Sequence, residues 1–215
     1  MTYAYMKELD SPDKNQARAA QAEGVILAAG WSSRTAPACK LAFMMDGRTV
    51  LEKSIESMLP FCARVFVVTG AHARTVEGIL RGRSGIALVY NPDFAAGMYG
   101  SVKFGLRRTN AEKVFLLPGD CPFVPPEVYA ALLAAQGDIL VPAWQGRAGH
   151  PVLLGRRAVG EILRDKVCRS LRAFIRAHHP TQVALDCPGI LEDIDTMEAY
   201  LQALGRTPDT MRGGE

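Results

Sequence analysis

Seven apolar stretches punctuate the chain: GVILAA (24–29), RVFVVTG (64–70), IALVYN (86–91), KVFLLPGD (113–120), DILVPA (138–143), GHPVLL (149–154) and TQVALD (181–186). Most are near-continuous apolar runs rather than alternating ones, the pattern of strands covered on both faces by helices. The segments between them carry helical spacing. TVLEKSIESMLP (49–60) sets Thr49 and Glu52 at capping-box distance and Leu51, Ile55 and Met58 along one face. SVKFGLRRT (101–109), PPEVYAALLAAQ (125–136), SLRAFIRAHH (170–179) and TMEAYLQAL (196–204) read as further helices, the second opening on Pro in its first turn. Strand and helix alternate from 24 to about 143, which predicts an α/β fold: a Rossmann-like, open, mainly parallel sheet with helices on both faces. From 144 to 190 the pattern loosens and Gly, Arg and His become frequent, so the less regular part of any site is expected there. The expected organisation is a single domain over 24–205, a polar extension over 1–23 and a frayed tail over 206–215.

Composition narrows the function classes. With 215 residues, 48% apolar and 22% charged, the chain fits one ordinary globular core rather than disorder or a coiled coil. A net charge of +3 is too mild to point to nucleic acid, though a weak basic bias suits a phosphorylated small molecule. The first residues mix charges of both signs without an apolar run, and no segment has the length of a membrane span, so a cytoplasmic protein without a membrane partner is expected. Cys39, Cys62, Cys121, Cys168 and Cys187 are odd in number and include no CxxC pair, which predicts reduced thiols.

In an open α/β sheet, ligands gather beyond the carboxyl ends of the strands. The unusual residues fall there: Gly30 to Lys40 after the first strand, Thr69 and Gly70 after the second, Asn91 after the third, and Pro118, Gly119 and Asp120 after the fourth. In the 30–40 loop, Gly30 is expected to let the backbone turn. Ser32 and Ser33 supply hydroxyls, and Arg34 and Lys40 supply fixed charge for a polyphosphate. The spacing matches neither a P-loop nor GxGxxG, and taken alone the loop reads equally well as a solvated turn.

Asp120 stands alone in a Pro- and Gly-rich turn, as a helix cap or a metal ligand. Phosphate chemistry favours Mg²⁺, which takes one or two carboxylates plus substrate oxygens. Asp193 and Asp195 share a face if their segment is extended, and can supply the second carboxylate. Their plainer role is to cap the following helix, unless Thr196 takes the cap and leaves Asp195 free. Gly97, Gly100 and Ser101 allow close backbone approach to a ligand, or merely satisfy glycine torsions. His150, between Gly149 and Pro151, is more often a structural hydrogen-bonder than a catalyst. Cys39 and Cys121 beside the two phosphate motifs read as small packing residues.

Taken together, these segments resemble the MobA-like nucleotidyltransferases, most closely the molybdenum cofactor cytidylyltransferases. The family's motifs are LAAGxSSRMGxxK, VTG, NPxxxxGMxxS, GDxP, GHP and DIDTPED. They correspond in order to Leu27–Lys40, Val68–Gly70, Asn91–Ser101, Gly119–Pro122, Gly149–Pro151 and Asp193–Ala199. The chain departs where Thr35 and Ala36 replace Met-Gly, where one extra residue and Pro37 lengthen the loop, and where Met197 and Ala199 replace the Pro and Asp of the last motif.

The resemblance implies the nucleotide-diphospho-sugar transferase type of sheet and transfer of CMP from CTP to the phosphate of a molybdopterin cofactor, with release of pyrophosphate. It further implies Arg34 and Lys40 on the triphosphate, Asp120 with Asp195 or Asp193 on Mg²⁺, and Leu27, Ala28, Ala29 and Gly30 against base and ribose. Thr69, Gly70, Asn91, Gly97 and Ser101 complete the nucleotide site, Gly149 and His150 face the acceptor, and a molybdoenzyme receives the product. Guanine-selective relatives tend to read LAGG where this chain reads LAAG, which leans toward cytidine. Two alternatives stay open: a nucleotidyltransferase acting on a sugar 1-phosphate or other small phosphate, and a non-catalytic nucleotide or cofactor escort.

Overall fold

The computed structural model describes residues 22–32, 34–35 and 38–205. In chain order these form β1 (Ala22–Ala28), β2 (Met44–Met45), β3 (Arg48–Thr49), α1 (Val50–Met58), β4 (Cys62–Thr69), α2 (Ala73–Leu80) and β5 (Ile86–Tyr90). They continue with α3 (Met98–Leu106), β6 (Lys113–Pro118), α4 (Pro126–Ala134), β7 (Ile139–Trp144), β8 (Arg147–Ala148) and β9 (Val152–Gly155). The last elements are α5 (Arg156–Arg164), α6 (Leu171–Ala177), β10 (Thr181–Ala184) and α7 (Met197–Leu204).

The main sheet has the order β10-β7-β9-β6-β1-β4-β5, with β8 paired to β7. Neighbours β6, β1, β4 and β5 run parallel, as do β7 and β10, whereas β9 runs antiparallel to both β6 and β7. The chain winds from β1 through β4 to β5 on one side and then returns to place β6 on the other side of β1. The crevice at the carboxyl end of β1 is therefore a topological switch point, where open α/β sheets hold their ligands.

The near-continuous apolar runs have a direct structural cause, because successive residues of a strand point to opposite faces and both faces are covered. Ile26, Val65, Val67, Phe115 and Leu117 pack with α1, α2 and α4 on one face. Val25, Phe66, Val68, Val114 and Leu116 pack with α3, α5 and α6 on the other. A third cluster, Met45, Val50, Ile194 and Ala203, joins the β2–β3 hairpin and α7 beside the carboxyl end of the sheet. The expected capping box is present: the Thr49 hydroxyl accepts the Glu52 N–H at 3.2 Å, and the Glu52 carboxylate accepts the Thr49 N–H at 2.6 Å.

Several boundaries and elements differ from the sequence expectation. β1 begins at Ala22, inside the expected extension, because Ala22 is buried against Cys62 and the Glu23 carboxylate accepts the N–H groups of Asn110 and Ala111 at 2.6 and 2.9 Å. The rest of that extension and the expected tail lie outside the described residues. β6 ends at Pro118 because the Gly119 N–H turns to the Leu27 carbonyl, and β9 starts only at Val152 because the His150 N–H goes to Ile190. α3 begins three residues earlier than expected. Helices α2 and α5 and the antiparallel direction of β9 were not anticipated. All five cysteines are free thiols.

Candidate active site

A cavity of about 370 Å³ opens at the carboxyl end of β1. Its floor is the backbone from Leu27 to Gly30, which continues from a strand fixed on both edges by β4 and β6. On the β6 side the wall is charged. A single 3-10 turn over Lys40–Ala42, anchored by buried Leu41, aims Lys40 at the turn that follows β6. There the ammonium donates to Asp120 Oδ2 and, at 2.6 Å, to Asp195 Oδ1, while Arg34 donates to Asp195 Oδ2. The Lys40 and Asp120 side chains are only 15% and 16% exposed, whereas Arg34 is 67% exposed.

Backbone bonds bring these distant segments together. The Ile194 N–H donates to the Asp120 carbonyl at 2.8 Å, and Ile194 is buried, so its neighbours Asp193 and Asp195 project to the opposite side. Thr196, not Asp195, caps α7, its hydroxyl accepting the Ala199 N–H at 3.1 Å. Ser54, in reach of the Gly119 carbonyl at 3.1 Å, ties α1 to the Asp120 turn.

The ionisation equilibria follow from this geometry. Burial works against the charge of Lys40, but Asp120 and Asp195 outweigh it and its pKa is raised. The bond from Lys40, reinforced by the charges of Lys40 and Arg34, holds Asp195 below the usual carboxylate range despite partial burial. Asp193 is pushed the other way, by partial burial and then by the charges of Asp195 and Asp120. The cluster therefore holds more negative charge than its cations fully compensate on the Asp193 side. Burial also lowers the pKa of His150 against the pull of Asp120, and the Nδ1 of His150 is buried without a hydrogen-bond partner among the described residues.

On the β4 side the wall is neutral. The Asn91 Oδ1 accepts the Asp93 N–H at 3.0 Å, which fixes its amide so that Nδ2 donates to Ser101 Oγ at 3.1 Å. Ser101 lines the cavity and, having accepted that bond, keeps its own hydrogen to donate. Gly97 takes φ +107, a backbone state suited to glycine, as the chain enters α3. Gly70 packs under Phe94, where an added Cβ would lie 2.6 Å from both the Phe94 side chain and the Ala29 carbonyl.

Of the residues singled out from sequence, Leu27, Ala28, Ala29, Gly30, Ser32, Arg34, Lys40, Gly97, Ser101, Asp120 and Asp195 line the cavity. Thr69, Gly70 and Asn91 stand behind its wall, and Asp193 sits beside the carboxylates without lining it. Gly149 and His150 are also outside the lining; Gly149 is required there because a Cβ would lie 2.3 Å from the Ile190 carbonyl oxygen. Ser33 lies outside the described residues. Gly30 takes no glycine-only backbone state, and an added Cβ would meet nothing within 4 Å, so what its missing side chain supplies is room in the cavity. Sequence reading gave no role to Trp31, Phe94 and Met98, which also line the cavity. It also treated Thr35 only as a departure. Its buried hydroxyl lies 3.1 Å from the Ser32 carbonyl and 3.0 Å from that of Ala38, stapling the ends of the loop.

A sheet wound both ways from its central strand sets a small-residue floor and a cation–carboxylate cluster at the switch point, where an open α/β fold binds its ligand. The chain belongs to the MobA-like NTP transferase family, whose domain model matches residues 24–183. It is 30% identical to the molybdenum cofactor cytidylyltransferase of Escherichia coli over 85% of this chain and 95% of that protein. It is 29% identical to a molybdenum cofactor guanylyltransferase of Sinorhizobium fredii over 89% of each. A solved nucleotidyl transferase from Methanothermobacter has the same fold, with a TM-score of 0.75 at 22% identity, over 85% of this chain and 95% of that one. Among the described residues no helix is long and apolar enough to cross a membrane.

Proposed function

We propose that the protein transfers CMP from CTP to the phosphate of a molybdopterin-type acceptor. An acceptor phosphate oxygen bonds to the α-phosphorus, the bond from that phosphorus to the bridging oxygen breaks, and pyrophosphate leaves with the electron pair. The observation that carries the reading is Lys40 held between Asp120 and Asp195 at the cavity wall. An ammonium has three donors, and two are committed here, so one remains for a phosphate oxygen. Arg34 spends one of its five donors on Asp195 and can reach the outer phosphates with the others. In such a transfer the protein mainly positions the groups and stabilises developing charge.

Mg²⁺ fits this donor set. Asp120 and Asp195 are hard carboxylates gathered on one cation, Lys40. Among the described residues no group of three or more His, Cys, Asp or Glu side chains is placed to hold a metal on its own. Mg²⁺ needs only one or two carboxylates when substrate oxygens complete its shell. When bound there, Mg²⁺ supplies charge neutralisation on the triphosphate and the departing pyrophosphate. His150 does not line the cavity, but its buried Nδ1, without a hydrogen-bond partner among the described residues, makes it the candidate on the acceptor side.

The choice of base rests on Ala29. Ala29 lines the cavity floor while only 6% exposed and packed into the core on the α3 face; the family resemblance puts Gly there in guanine-selective relatives, and a smaller pyrimidine tolerates the extra bulk. The test is pyrophosphate release from each NTP with and without the acceptor, in wild type and in Ala29→Gly. CTP is expected to exceed GTP in kcat/KM, and the variant to narrow the ratio without reversing it, since one methyl contact is worth only about 1–3 kcal/mol. A wild-type preference for GTP would overturn the cytidylyl assignment, and no release from any NTP would overturn the transfer itself.

A further inference from the structure

Trp31, Phe94 and Met98 line the cavity but have no part in the reaction as derived. Trp31 is 61% exposed and Met98 68% exposed. A large aromatic side chain usually buries most of its surface, so an indole left open at a cavity mouth is an unused contact face. The ring is also held in place. It leans on Phe94 with centroids 5.1 Å apart and planes at 59°, and His72 Nε2 lies 3.1 Å from the Trp31 carbonyl, as donor to it. Gly30, immediately before it, presents no side chain to the same space.

We infer that Trp31, with Phe94 and Met98, forms a stacking subsite for a planar heteroaromatic ring. The inference rests on reading the cavity as a nucleotide site. Phe94 lies over Gly70 at the end of β4, and Asp120 follows β6, with β1 between them. The aromatic lip and the charged cluster are thus two strand spacings apart, about 10 Å. One nucleotide spans that separation with its base at one end and its phosphates at the other. An aromatic face accepts any such ring, so the base of the nucleotide and the pterin of the acceptor are the two sources of the same chemistry.

The chain has two tryptophans, and the other, Trp144, is at the end of β7 with its indole 3.3 Å from Asp186, outside the cavity. Trp144→Phe in the full chain therefore leaves Trp31 as the reporter. Its fluorescence is titrated with CTP, with inorganic triphosphate and with free pterin. Saturable quenching by CTP and none by triphosphate is expected. Trp31→Ala should weaken CTP binding by about tenfold, leave triphosphate binding unchanged, and be largely rescued by Trp31→Phe. Quenching by pterin in place of CTP supports the subsite and assigns it to the acceptor. A Trp31→Ala enzyme that binds CTP and pterin as wild type does, while wild type still releases pyrophosphate, overturns the subsite alone. A wild type that neither binds nucleotide nor releases pyrophosphate overturns the transferase reading with it.

Discussion

The two sides of β1 build the cavity by opposite means. On the β6 side, Lys40, Asp120, Asp195 and Arg34 bind one another while keeping capacity for a ligand: one Lys40 donor, four Arg34 donors, and Asp120 Oδ1, which the Cys121 thiol approaches at 3.9 Å. On the β4 side, Asn91 closes its polar account internally and leaves only the Ser101 hydrogen, so that wall offers chiefly shape and an aromatic lip. Charge that must reorganise around a developing pyrophosphate acts in the transition state, whereas shape acts on ground and transition states alike. The β6 side should therefore govern kcat, and the β4 side with the floor should govern binding.

The largest effect is expected from breaking the charged side. Asp120→Asn keeps the volume and the backbone bond to Ile194 but removes the charge that holds Lys40 and, in the proposed reaction, the cation. Turnover should fall by about 10²–10³-fold, the equivalent of several kcal/mol of charge stabilisation, with an unchanged circular dichroism spectrum. Turnover within a few-fold of wild type at saturating Mg²⁺ would show that the cluster is structural.

The floor gives the complementary test. Gly30→Ala meets no neighbour within 4 Å and needs no unusual backbone state, so the free protein should melt within about a degree or two of wild type. The added methyl occupies cavity space, and KM for the nucleotide should rise by about tenfold while kcat changes much less. A fall in kcat with KM unchanged would place Gly30 on the charged side of the comparison instead.

How far each side was legible in the sequence follows the same division. Asp120 stands out because the apolar run of β6 ends beside it, and Lys40 because the loop after β1 also carries Arg34; Asp195 lies at no strand end and was legible only as a second carboxylate beside a possible cap. Trp31 and Phe94 were silent because an aromatic residue in a loop reads as ordinary packing; only the exposure of Trp31 beside half-buried Phe94 at the cavity distinguishes them. Gly30 was noticed as a residue that lets the backbone turn, whereas its structural contribution is the open space beside it. In the fold, α2 lacks a capping side chain at His72, and only Val76 and Leu80 are buried in it, so its short sequence carries a weak signal. α5 follows β9 without a loop and contains Gly160, which hides a strongly amphipathic helix inside an Arg-rich stretch. The reversed direction of β9 depends on pairing with β6 and β7, which no local pattern encodes.

The smallest effect, and the finest test of the charged side, concerns Asp193. Partial burial, then Asp195 and Asp120, raise its pKa above the ordinary value of 3.8, so its ionised form opposes folding in the absence of a cation. For a group with a raised folded pKa, the favourable contribution is complete below the unfolded pKa and is lost as pH rises through the folded one. Asp193→Asn cannot ionise and escapes that loss. With EDTA present, the variant should melt level with wild type near pH 3.8 and about a degree or two above it at pH 7, the gap opening as pH rises. Adding Mg²⁺ with nucleotide should reverse the order, because a cation that draws on Asp193 stabilises wild type more than the variant. A variant less stable than wild type at pH 7 in EDTA would mean that Asp193 is held by favourable contacts rather than by repulsion. Equal stabilisation of both proteins by Mg²⁺ and nucleotide would leave Asp120 and Asp195 as the carboxylates that hold the ion.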